Sequence, residues 1–179
     1  MAVIATLSAI TVPGLLANLD EAKALEAARY LTTRMQRARM EAVARSSDVA
    51  LRFVLAADGY TYAVFVDGNG NGVRTTDIQH GVDVPLISAE RLPGLFSGVD
   101  FGLLPGLPPV DPGGPPPGTD PIKLGVSNIL TFTSAGTASP GSLYILGRAG
   151  AQYVVRISGE TGRTRILKFD PVSRHWNPS

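Results

Sequence analysis

LLANLDEAKALEAARYLTTRMQRARMEAVARSS, residues 15–47, decides how the rest of the chain is arranged. Ala, Leu, Glu and Arg dominate it and no Gly or Pro interrupts it, so it reads as a helix. Leu25, Ala28, Leu31, Met35, Ala38 and Ala42 recur at helical spacing and form the candidate packing face. Arg29, Arg37 and Arg45 fall elsewhere on the wheel, and Glu41 stands four residues before Arg45, a favourable pair. Upstream lies MAVIATLSAITV, twelve residues without a charge, followed by Pro13 and Gly14. Taken together, residues 1–46 are expected to form one helix of roughly 65–70 Å. A kink is expected at Pro13 and Gly14, because proline cannot donate to the helical ladder. The front, 1–16, is apolar all round and 17–46 is amphipathic. A body of about 130 residues is only ~30–35 Å across, so it cannot shelter the whole helix. The front must lie in lipid or against other subunits. As it stands the charge-free run is shorter than the ~20 residues of a membrane span.

The composition removes several function classes. There is no Cys, which excludes a disulfide framework, Cys-ligated zinc and a thiol nucleophile. The two His, His80 and His175, have no clustered partners in sequence and read as loop residues rather than a metal site or part of a triad. No Gly-x-Ser-x-Gly, phosphate loop or His-Glu-x-x-His occurs, and no enzyme is expected. The formal net charge of +1 offers no bulk attraction for nucleic acid. The charge is unevenly spread, however. Residues 47–140 carry nine acids against four bases, whereas 141–179 carry six bases against Glu160 and Asp170.

Residues 47–179 read as a β-rich domain. Val49, Leu51, Phe53 and Leu55 alternate with Ala50, Arg52 and Val54, and Asp58–Gly59 signals a hairpin into residues 60–66. Further strand candidates are 83–92, 98–104, 122–124, 129–134, 142–146, 153–158 and 163–169. The expected fold class is therefore α+β, with the long helix on an antiparallel sandwich of about eight strands. Residues 102–121 hold eight of the fourteen prolines and read as a surface loop with polyproline character. Trp176, in the tail, is expected to pack the C-terminal end onto the body.

Two local patterns suggest chemistry. Asp67, Asn69 and Asn71, with Gly72 at the sixth place, match the front half of a calcium loop. Ile78 occupies the place where that loop needs an acid, with no helix expected on either side, and a tight turn bonding its own backbone is the favoured alternative. Calcium is the one cofactor these residues suggest. In the second pattern, a four-residue loop at 159–162 sets Ser158 opposite Arg163 and Arg156 opposite Arg165. Arg156, Arg163 and Arg165 then share a face, with Lys168 and Arg148 adding to the field. Like charges opposed on a sheet are unfavourable unless solvent, a carboxylate or a polyanion screens them.

VIATLSAITVPGLLANLDEAKALEAARYLTTRMQRARMEAVARSS resembles the N-terminal helix of type IV pilins and pseudopilins, most of all the GspH/FimT-type minor pseudopilins. YAVFVDGNGNG, ILTFTSAGTASPGSLYIL and VVRISGETGRTR resemble later segments of that family, in the same order. The family's basic leader, cleavage site and early Glu are absent, because the chain opens inside the apolar run. About ten more residues would restore a spanning length. The resemblance implies a single-pass inner-membrane protein with its β-domain in the periplasm, assembled into a type II secretion pseudopilus or a type IV pilus. It implies other pilins or pseudopilins, a prepilin peptidase and an inner-membrane assembly platform as partners. In FimT-like members a C-terminal Gly-Arg-x-Arg segment is associated with DNA capture, so the resemblance offers DNA contact by Arg163 and Arg165, flanked by Arg156 and Lys168; the same tetrapeptide also occurs in secretion pseudopilins without a DNA role, and a solvated or subunit-facing basic edge is the favoured alternative.

Overall fold

In a computed structural model of the chain, the backbone of residues 2–179 and the side chains of residues 18–179 are described. The elements in order are α1 (Ala2–Arg45), β1 (Val49–Ala56), β2 (Gly59–Val66), α2 (Thr75–Gln79), β3 (Val84–Glu90), α3 (Leu92–Leu95), β4 (Val99–Phe101), β5 (Ile122–Lys123), β6 (Ile129–Phe132), β7 (Gly141–Gly147), β8 (Gln152–Ile157), β9 (Thr164–Asp170) and β10 (His175–Pro178). All strand pairings are antiparallel. One sheet runs β3-β2-β1-β6; the other runs β10-β9-β8-β7-β4, with β5 also beside β7. The fold is α+β, as the hydrophobic pattern implies.

The helix face is as its spacing predicts, and wider. Ala28, Leu31, Met35, Ala38 and Ala42 are buried, Leu25 is half-buried against the same core, and Ala24 and Ala27 join them. Five of these buried residues are alanines. Short side chains let the helix axis sit close to the sheets, so one helix touches β1 and β6 of the first sheet and β4, β7, β8 and β9 of the second. The main core fills the space beneath it. Phe53 and Tyr62 of the first sheet meet Phe101 of the second there, edge to face for the Phe53–Phe101 pair at 5.6 Å.

Each end of the helical contact is fastened by polar groups. At the front, the buried Asp20 carboxylate accepts the Ala149 N–H at 2.9 Å, in the β7–β8 turn. A Cβ on Gly147 would stand 2.4 Å from that carboxylate, so glycine is what admits it. In mid-helix, Glu90 accepts hydrogen bonds from Tyr30 and Tyr62 at 2.9 and 2.8 Å and pairs with Arg34 at 2.6 Å. Burial, together with the bond to Glu90, pushes the Tyr62 hydroxyl pKa well above its ordinary value. At the rear the helix closes in a Schellman motif: Ser47 N–H donates to the Ala42 carbonyl and Ser46 N–H to that of Val43. Ser46 takes the left-handed conformation there, with φ 52°.

Both sheets also carry a smaller core on their outer faces. Val73 and Ile78, from the segment between β2 and β3, cover Ala50 and Ile129 of the first sheet. Leu103, Leu104, Leu107 and Val110 cover Tyr144, Val154 and Phe169 of the second. The proline-rich segment 102–121 is thus a strap over a sheet face, not only a surface loop. Asp111 pairs with Arg156 at 2.5 Å to hold it. Trp176 does pack the C-terminal end down: it lies on Phe169 and Tyr144 and donates its indole N–H to the Pro108 carbonyl at 3.1 Å. It belongs to a tenth strand that the sequence pattern did not indicate, and His175 opens that strand rather than lying in a loop.

Candidate functional site

The β8–β9 hairpin has the register expected from its loop. Arg156 opposes Arg165, and Ser158 N–H donates to the Arg163 carbonyl at 2.9 Å. Gly162 closes the loop at φ 59°, where an added Cβ would stand 2.8 Å from the Gly136 carbonyl. Arg39 of α1 donates to that same carbonyl at 2.9 Å, so the hairpin tip is held against the helix.

Arg156, Arg163 and Arg165 line one open cavity of 590 Å³ with Asp111, Pro140, Ser158, Thr161 and Thr164. Arg156 is committed. It holds Asp111 and donates to the Gly141 carbonyl at 3.0 Å. Arg163 and Arg165 are exposed and make no ion pair among the described residues. Lys168 is not part of this group. It lies three residues beyond Arg165, on the other face of β9, and pairs with Glu21 of α1 at 2.5 Å. Arg148 sits in the β7–β8 turn, at the opposite end of β8, beside Gly98. Sequence reasoning missed Asp111: it lies 45 residues from Arg156, and no local pattern announces that contact.

The Asp67 turn has a different logic. Asp67 Oδ1 accepts the N–H groups of Asn69 and Gly70 at 3.0 and 2.8 Å, and Oδ2 accepts that of Gly72 at 2.8 Å. Asn69 Oδ1 accepts the Asn71 N–H at 3.2 Å. Burial would push the Asp67 carboxyl up, but the backbone N–H groups of Gly72, Asn69, Gly70 and Asn71 outweigh it and hold it below the ordinary carboxylate range. Asp83, which the sequence reading passed over, is fully buried and braces the turn by accepting the Gly68 and Arg74 N–H groups at 3.1 and 2.8 Å. The short α2 follows the turn, where no helix was expected. Ile78, at the place a calcium loop fills with an acid, packs into the outer core of the first sheet. Among the described residues no group of three His, Cys, Asp or Glu is placed to hold a metal. The geometry is that of a turn built around its own carboxylates.

The opposite face of α1 is open. Glu26, Arg29, Thr33, Arg37, Met40 and Ala44 are all exposed. The expected kink at Pro13 and Gly14 and the apolar segment 1–16 fall outside the residues whose side chains are described. Among the described residues, no helix is long and apolar enough to cross a membrane.

A long helix bound along one face to antiparallel sheets, with its other face bare, is the pilin-like class of fold. The family model described as type II transport protein GspH matches residues 27–162, and the chain belongs to that family. No curated protein matches the chain. Among solved structures, the minor pseudopilin EpsH from the type 2 secretion system of Vibrio cholerae is similar over 82% of this chain and 97% of its own, at 18% identity and a TM-score of 0.47.

Proposed function

We propose that the chain is a minor pseudopilin, a structural subunit that acts by assembling into a type II secretion pseudopilus. Family membership supports the secretion setting. The observation that carries assembly is the bare face of α1. Met40 is 64% exposed and Val43 51% exposed on a helix whose other side packs on the core. Apolar side chains so placed gain from the helix of a neighbouring subunit. The apolar run 1–16 would be housed in the inner membrane before extraction and among neighbouring helices afterwards, with the β-domain in the periplasm. A prepilin peptidase and an inner-membrane assembly platform would be its processing and assembly partners. Work for extraction would come from an ATPase elsewhere. The role asks for no catalysis by this chain.

The test exploits the absence of native Cys. Met40→Cys labelled with a benzophenone maleimide should give photo-crosslinked adducts with pilin-like subunits in cells that assemble the filament. Leu31→Cys, on the buried face, should give none. Equal adducts from both positions, or none from Met40→Cys in assembling cells, would reject the reading.

A further inference from the structure

We propose that the groove between the strap and the β8–β9 hairpin docks an extended acidic segment of a neighbouring filament subunit. The proposal rests on the reading of the chain as a filament subunit and adds the contact it would use. Three arginines line a concave space of 590 Å³ together with Ser158 and Thr161. One already holds a carboxylate, that of Asp111 at 2.5 Å. The groove therefore accepts this chemistry. Arg165 lies directly across from Arg156 on the neighbouring strand, an arrangement of like charges that costs stability unless each finds an anion. Asp111 answers for Arg156 alone.

Arg163 and Arg165 are two residues apart on one chain, about 6.6–7 Å along a strand. An extended peptide with acids at every second position repeats at that same spacing, so it can set one carboxylate on each guanidinium. Such pairs are charge-assisted and geometrically selective. The receiving side is stiff. Gly162 lies against Gly136, and Arg39 ties both to α1, so little ordering is left to be done on binding.

The same features disfavour nucleic acid. Duplex DNA presents a charge every ~1.7 Å of axis, and its affinity comes from many neutralised phosphates. Here two exposed guanidinium groups stand beside the Asp111 carboxylate, with the exposed Glu160 at the hairpin tip. Lys168, which would have widened a cationic strip, is turned to the other face and paired.

The experiment uses the full chain in detergent and a fluorescent peptide of alternating Glu and Thr, with duplex DNA as competitor. The wild-type chain should bind the peptide. The double variant R163Q/R165Q should bind at least about tenfold more weakly at an equal or higher melting temperature, since the Arg156–Arg165 repulsion is removed. R29Q/R37Q, on the bare helix face, should bind as wild type. Absence of binding by the wild-type chain, undiminished binding by R163Q/R165Q, or tighter binding of DNA than of peptide would overturn the proposal, the last in favour of a nucleic-acid contact. These outcomes are separable from failure of the subunit reading. Met40→Cys adducts would persist in cells if only the groove proposal is wrong.

Discussion

Ser46 ends α1 with φ 52°, a conformation that glycine adopts without the steric cost a side chain brings. Its two backbone bonds to Val43 and Ala42 keep it there. Ser46→Gly should therefore stabilise the protein by about 0.5–1 kcal/mol in urea unfolding, with the motif intact. Asp67 sets a pH dependence. Its carboxyl is held below the ordinary range in the folded state, so it contributes stability that is complete above the unfolded value of about 4 and lost as pH falls through the lower folded value. Asp67→Asn should cost about 1–3 kcal/mol at neutral pH, because an amide nitrogen then meets one of the N–H groups that an oxygen now accepts. The difference from wild type should narrow as pH falls below the unfolded value, measured as paired urea titrations. At this scale the sequence was informative where bonding is local. The Asn/Gly spacing of residues 67–72 announced a turn, and the loop of residues 159–162 announced which arginines face each other. It was silent on Asp83 and Asp111, whose partners lie 9 to 45 residues away. The parity of Arg165 and Lys168 along one strand was readable, and it separates them.

Among the elements, α1 was the most legible. Helical spacing from Leu25 to Ala42 named the buried face before any contact was known. The preponderance of alanine on that face sets how closely the helix approaches, and this makes it sensitive to added volume. Ala28→Leu should cost about 1–3 kcal/mol by forcing helix and sheets apart, whereas Ala44→Leu, on the exposed side, should be close to neutral in the same unfolding experiment. The strands followed alternation and turn signals well. β10 did not, since RHWNPS has neither an apolar run nor a clean alternation, and its strand character comes from pairing with β9. The packing of the strap, an irregular loop as its prolines imply, was illegible for a similar reason. Its prolines and glycines describe the local backbone. Its function in the fold lies with Leu103, Leu104, Leu107 and Val110 set among them, and what those residues cover is decided by the sheet.

At the scale of the whole molecule, the strap and β10 depend on each other through Trp176. Trp176→Ala should lower stability by about 2–3 kcal/mol, less than the ~3–5 of a fully buried tryptophan. Amide exchange in residues 103–111 should quicken more than in β1 and β2, because the outer core opens separately from the main one. The main core behaves otherwise, since one helix is bonded to both sheets along its length, from Asp20 through Arg34 to Arg39. Tension applied along α1 therefore enters the body in shear, shared among many contacts at once, rather than peeling them apart in succession. Helix and globule should travel as a single piece under load, as a bolt seated in its housing does.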